Sequence, residues 1–129
     1  MTITSIGSDL CQISRIEELL ERSSESFCEK IFTRGEREYC DSSSRARASH
    51  YAGRYAVKEA VMKALGTGWG EGVRWQDIET TRTPAGAPEL ILHGETAALA
   101  RERGIARWHV TISHDAGLAL AFVVAESSS

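Results

Sequence analysis

The chain is short of the devices that staple small secreted domains together. Its 129 residues include three cysteines. Cys11, Cys28 and Cys40 form neither a CxxC pair nor an even set, so no disulfide framework or CxxC metal site is expected. They read as reduced thiols that serve as small packing residues in a cytoplasmic protein. No apolar run approaches the roughly 18–20 residues of a membrane helix. The opening MTITSIGSDL has no basic start followed by a long apolar stretch, so no signal peptide is expected. A surplus of positive charge is missing as well. Fifteen Lys and Arg face 18 Asp and Glu, for a net charge of −3, which argues against a general nucleic-acid binder. There is no repeat, and no low-complexity stretch beyond the serine tail 127–129.

What is present suits one domain, 1–129, with 42% hydrophobic residues and one core. Residues 2–9 read as a short strand ending at Gly7 and Asp9. Ile13, Ile16, Leu19 and Leu20 recur at helical spacing and predict a helix over 12–22. Residues 25–40 predict two short helices, with Thr33 as N-cap and Glu36 three residues on, the capping-box pattern. A loop follows at 42–44. The strongest element is 46–65, which Gly66 should stop. Strands are expected at 77–82 and 89–93, a helix at 96–103, and a hairpin from 107–113 and 118–125. The order β-α-α-α-α-β-β-α-β-β predicts an α+β fold, an antiparallel sheet packed on one long helix with short N-terminal helices.

At about 100° per residue, Val57, Ala60, Val61 and Ala64 share one side of the long helix. Arg54, Lys58, Glu59 and Lys63 spread over the other. A solvated polar face explains that arc. Yet residues 45–63 hold Arg45, Arg47, Arg54, Lys58 and Lys63 plus His50, against Glu59 alone. Such a patch suits a phosphorylated ligand or an acidic partner. A lone carboxylate within it is able to hold Mg²⁺, which commonly takes one or two protein carboxylates plus phosphate oxygens. Asp9, at the end of the first strand, is a second carboxylate. Ala52, Gly53 and Ala56 permit close approach by another element.

Five segments carry a resemblance: IGSDLCQISRIEELLER (6–22), FCEKIFTRGEREYC (27–40), AGRYAVKEAVMKALGTG (52–68), GAPELILHG (86–94) and HVTISHDAGLALAFVV (109–124). In order and spacing they resemble the holo-acyl-carrier-protein synthases, small bacterial 4′-phosphopantetheinyl transferases. The early G-x-D strand end and the later [KR]-E-A-x-x-K-A helix are the specific pair. The resemblance implies a 4′-phosphopantetheinyl transferase-like fold. The implied reaction moves the phosphopantetheine arm of coenzyme A onto a serine of apo acyl carrier protein, releases adenosine 3′,5′-bisphosphate, and serves fatty acid synthesis.

It further implies Asp9 and Glu59 as Mg²⁺ ligands, with Glu59 or a metal-bound water as the base for the serine hydroxyl. Lys63 would offset charge on the leaving phosphate. Arg54 and Lys58 would hold phosphates of coenzyme A, and the turn at Gly66, Thr67 and Gly68 would let backbone approach the nucleotide. His114 ends the apolar row Trp108, Val110, Ile112, where a buried histidine is the plain reading; the family match at SHD points instead to the metal or the phosphates. Asp115 faces the other way on a regular strand, although a turn at 115–117 would bring both to the site. Arg15 and Arg22, seven residues apart on one helix face, read either as surface charges paired with Glu18 or Glu21 or, by resemblance, as contacts for the acidic helix of the carrier protein. Arg45 would join them. The last strand alternates large Leu118, Leu120, Phe122 and Val124 with small Ala119, Ala121 and Ala125. One face should pack on the long helix and the other against core or a second subunit; resembling proteins are homotrimers with sites between subunits. Two other readings compete: a coenzyme A or carrier-protein binding module without chemistry, and a nucleic-acid module on the 45–63 patch.

Overall fold

The computed structural model describes residues 1–68 and 70–128. Trp69, just after the expected turn at Gly66, Thr67 and Gly68, and Ser129, the end of the serine tail, lie outside them. The elements are β1 (Thr2–Gln12), α1 (Ile13–Ile31), α2 (Arg34–Asp41), α3 (Arg47–Leu65), a 3₁₀ turn (Trp75–Asp77), β2 (Ile78–Arg82), β3 (Pro88–Leu92), α4 (Gly94–Glu102), β4 (Ile105–Asp115) and β5 (Leu118–Ser127). This is the expected α+β order, but β1 runs on to Gln12, so Asp9 lies within the strand and not at its end. The break expected between helices over 12–22 and from 25 falls at Ser23 (φ −145°, ψ 37°), where α1 is kinked. Ser127 belongs to β5, not to a loose tail.

The strands form two antiparallel sheets: β1-β5-β4 and the separate hairpin β2-β3. Register places Gly7 opposite Val123, Asp9 opposite Ala121 and Cys11 opposite Ala119. On the far side, Val110 pairs with Val123, Ile112 with Ala121 and His114 with Ala119. Alternation makes these residues one face, and α3 lies across it. Ala119, Ala121, Val123 and Ala125 are fully buried there, because small side chains let the helix approach. At Gly7 the approach is closest: a Cβ would stand 2.0 Å from the Ala60 carbonyl oxygen.

The long helix is not the amphipathic element its pattern suggests. Tyr51 to Arg54, Ala56 to Lys58 and Ala60 to Met62 are all buried, so α3 is enclosed by the sheet, α1, α2 and β2. Its end matches expectation. Gly66 takes the left-handed conformation (φ 73°), and Thr67 N–H returns to Met62 O at 3.0 Å, closing the last turn as a Schellman motif. The Thr33 capping box is also formed: Glu36 N–H donates to Thr33 Oγ1 (3.1 Å), and Thr33 N–H donates to Glu36 Oε1 (3.0 Å).

The outer face of the large sheet is uncovered. Ile6 and Leu10 are about 60% exposed and Leu120 and Phe122 39%. Leu10 pairs with Leu120, while Ser8 pairs with Phe122 and Ile6 with Val124.

Candidate active site

Two polar clusters flank α3, on opposite edges of the large sheet. The first is built on β1. Because Gly7 carries β1 against α3, Asp9 two residues on points the same way and meets the helix one turn from its end. Lys63 Nζ donates to Asp9 Oδ1 at 3.0 Å and to Ser8 O at 3.1 Å. Glu59, one turn before Lys63, is partly buried. Burial raises its pKa above the usual carboxylate range, and the nearby Asp9 charge adds to this against Lys63 and a hydrogen bond from Tyr55. Two carboxylates thus share one edge of the helix with a single ammonium. The charge of Arg15 also reaches this end, at Cys11 and Tyr55.

The donor set fits a hard dication. Two oxygen ligands that repel each other are what Mg²⁺ relieves, and it fills its remaining positions with water and phosphate oxygens. Among the described residues no group of three or more His, Cys, Asp or Glu assembles. Asp9 and Glu59 are thus two carboxylates without a third protein ligand beside them among the described residues.

The second cluster surrounds Arg54. It forms a cavity of about 280 Å³ whose lining includes Tyr39, His50, Arg54, Arg82 and His114. Arg54 is 5% exposed, its guanidinium lies 4.2 Å from the Tyr39 ring centroid, and its Nε is buried without a partner. Arg82, from β2, stacks on the same ring at 4.9 Å and donates to the Tyr39 hydroxyl. His114 Nε2 donates to Ser49 O at 3.0 Å. The missing side chain of Gly53 makes room for this ring, since a Cβ there would be 3.3 Å from Nε2.

The structure therefore separates residues that sequence reasoning grouped. Asp9, Glu59 and Lys63 come together. Arg54 and His114 come together. Within one chain the two sets do not meet, because β5 lies between β1 and β4, about 10 Å of sheet. His114 is exposed, so it is not the buried end of an apolar row. Asp115 ends β4 on the opposite face, at a tight turn through Ala116 (φ 51°) and Gly117 (φ 76°).

Lys58 is a correction. It is fully buried, its Nζ 2.8 Å from Glu36 Oε1, and it donates to Trp75 O at 2.9 Å and to Ile78 O. Glu36 Oε2 accepts from Thr80 N–H at 2.9 Å. Burial pulls the ammonium below the usual lysine range, opposed by Glu36. All three of its donor sites are used inside the fold, so Lys58 holds α3 to α2 and β2 and has none left for a phosphate.

The positive patch over 45–63 also dissolves. Lys58 pairs with Glu36, Lys63 with Asp9, and Arg47 with Asp41 at 2.8 Å. Arg15, Arg22 and Arg45 are all exposed. However, Arg45 lines a groove with Ile13, Glu17, Leu20 and Glu21, which lie across α1 from Arg15 and Arg22 at 100° per residue. A surface touching all three must straddle α1. Gly66 and Thr67 turn away from α3 as expected, and nothing crowds Gly68. Sequence reasoning missed Tyr39 and Arg82; no local pattern marks them, since they reach Arg54 from α2 and β2.

The fold and these clusters define the class. The pattern of the 4′-phosphopantetheinyl transferase superfamily matches residues 5–123, and the chain belongs to that family. Within it, the chain is 50% identical to the holo-[acyl-carrier-protein] synthase of Methylobacterium sp. (strain 4-46), covering 97% of this chain and 95% of that one. It superposes on the crystal structure of the Neisseria meningitidis holo-[acyl-carrier-protein] synthase with a TM-score of 0.88 at 31% identity, over 98% and 100% of the two chains. The Helicobacter pylori synthase in complex with coenzyme A matches with a TM-score of 0.82 at 35% identity, over 94% and 99%.

Proposed function

We infer that this chain is a holo-[acyl-carrier-protein] synthase: it transfers 4′-phosphopantetheine from coenzyme A to a serine of apo acyl carrier protein, for fatty acid synthesis. The observation that carries this reading is the Asp9–Glu59–Lys63 cluster, set on a fold shared with coenzyme A-bound relatives. Asp9 and Glu59 would hold Mg²⁺, which when bound draws charge from the diphosphate and exposes its phosphorus. The remaining work falls to side chains. The serine oxygen of the carrier protein attacks the phosphorus that bears pantetheine, and the bond to the adenosine bisphosphate breaks with its electron pair. Glu59, whose proton affinity is raised by burial and by Asp9, takes the serine proton directly or through a water. Lys63 neutralises charge on the departing phosphate.

Arg54 and His114 hold a phosphate of coenzyme A. The turn at Gly66, Thr67 and Gly68 borders the nucleotide. Arg15 and Arg22 dock the acidic carrier protein, with Arg45 at the rim, by contacts that salt weakens. A homotrimer is supported by two features. Ile6, Leu10, Leu120 and Phe122 leave an apolar sheet face open to water, and the two clusters lie too far apart within a chain to share one substrate phosphate. A neighbouring subunit would bring one cluster to the other. Among the described residues no helix is long and apolar enough to cross a membrane, and the three free, buried cysteines suit the reducing cytoplasm.

The test is the intact mass of apo acyl carrier protein incubated with this protein, coenzyme A and Mg²⁺. A gain of one phosphopantetheine, lost when EDTA is present, is expected. No gain with several carrier proteins would leave only binding of coenzyme A.

A further inference from the structure

The Arg54 cavity holds a group that the reaction above does not use. His50 stands one turn before Arg54 on α3, its ring 4.7 Å from that of Tyr39 and tilted by 30°. Its Nδ1 is buried without a hydrogen-bond partner. The polar groups facing it from each neighbouring element are Tyr39 on α2, Arg54 on α3, Arg82 on β2 and His114 on β4. No carboxylate is among the residues that line the cavity. Two guanidiniums, a second imidazole and a phenol thus surround the His50 imidazole, with no carboxylate lining the cavity beside it.

Burial holds the His50 pKa below the usual histidine range, and Arg54, His114 and Arg82 add to the effect. In the free protein the ring is neutral near pH 7. An anion in the cavity would reverse each of these influences, bringing acceptors and cancelling the surrounding charge. The ligand that does this best carries close to two negative charges, as a phosphate monoester does at neutral pH. Coenzyme A has one such group besides its diphosphate.

We propose that His50 is a further substrate-binding residue that couples this cavity to protons: it takes up a proton as a phosphate monoester enters and becomes an additional cationic donor to it. This rests on the reading of the cavity as a coenzyme A phosphate site. Substrate affinity then falls as pH rises, because binding must draw a proton from an increasingly dilute pool. One linked proton sets a limit of about tenfold in affinity per pH unit. The monoester's own ionisation near pH 6 acts in the opposite sense, so the contribution of His50 is the difference between the wild-type protein and His50→Phe, which keeps a ring against Tyr39.

The experiment has two arms. Calorimetric affinity for coenzyme A and for 3′-dephospho-coenzyme A is measured from pH 6 to 8 in both proteins. The histidine signals of the wild-type protein are titrated by NMR with and without each ligand. Expected results are a steeper loss of coenzyme A affinity with pH in wild type than in His50→Phe, by threefold or more over the range, and an upward move of the His50 midpoint with coenzyme A alone. A His50 midpoint unmoved by coenzyme A overturns the proposal, even if His50→Phe does not fold. Equal affinity for the two ligands overturns the phosphate reading of the cavity, and no affinity for either overturns the proposed function; both are distinct from an inert His50.

Discussion

Arg54 and Lys58 stand one turn apart on α3, and both are buried. Their surroundings are opposite. Lys58 is enclosed by Glu36 and two carbonyls, with every donor used. Arg54 has no ion pair among the described residues and an unpartnered Nε; its company is Tyr39, Arg82, His50 and His114. A charge buried with its counter-charge is part of the scaffold. A charge buried without one persists at a cost of several kcal/mol unless a ligand supplies the missing partner. The same helix thus carries one cation that builds the protein and another that, on the proposed function, finds its counter-charge in a phosphate of the substrate.

The largest expected effect breaks the first half of this comparison. Lys58→Met leaves Glu36 buried and unpaired, and should lower the unfolding free energy by about 3–5 kcal/mol in urea titrations. The double variant with Glu36→Leu should recover much of the loss, since apolar replacement of a whole buried pair is often neutral. A double variant no more stable than the single one would show that the pair is not what Lys58 contributes.

Glu59→Gln addresses the other flank of α3. Transfer should fall by at least about 10²–10⁴-fold through loss of the base, while carrier-protein binding survives in a pull-down and stability moves by about 1 kcal/mol or less. Unchanged turnover would remove Glu59 from the chemistry.

Arg54→Met sharpens the comparison directly. Removing a cation that lacks a counter-charge should cost less stability than Lys58→Met. Coenzyme A affinity should drop by about 10- to 100-fold, the worth of a charged hydrogen bond of about 1.5–3 kcal/mol. If the two variants destabilise equally and coenzyme A still binds, Arg54 is a scaffold residue too.

The smallest effects concern the thiols, which carry no charge in either setting. Burial raises the Cys40 thiol to about 12 and the Cys11 thiol to about 11. Both should resist alkylation by iodoacetamide at pH 8. The folded state keeps these protons where the unfolded chain loses them, so their contribution to stability is complete below about pH 9 and declines as pH rises towards 12. Cys40→Ser should leave transfer intact.

Much of the fold was legible because its signals are local. Helical periodicity, the Thr33–Glu36 box and Gly66 each act within a few residues, and each matched an element end. The alternation of β5 also matched its two faces, Ala119 and Ala121 inward, Leu120 and Phe122 outward. The break between helices over 12–22 and from 25 was also legible, and it falls at the kink at Ser23. At the site, Asp9, Glu59 and Lys63 were found by motif and do converge. Lys58 was misread because charge spacing on a helix says nothing about what covers it. Tyr39 and Arg82 were missed because they reach Arg54 from distant elements.

The sequence by itself determined the element order, the helix caps, the family and the carboxylate–lysine trio. Those depend on neighbours along the chain or on motif residues read together. Only the tertiary structure decided which cation is buried with a counter-charge and which is not, and that the two clusters lie on opposite edges of one sheet. The reason is that burial and counter-charge are set by residues far apart in sequence: Glu36 reaches Lys58 from α2, while Arg54 lies against Tyr39 of the same helix α2 with its Nε unpartnered.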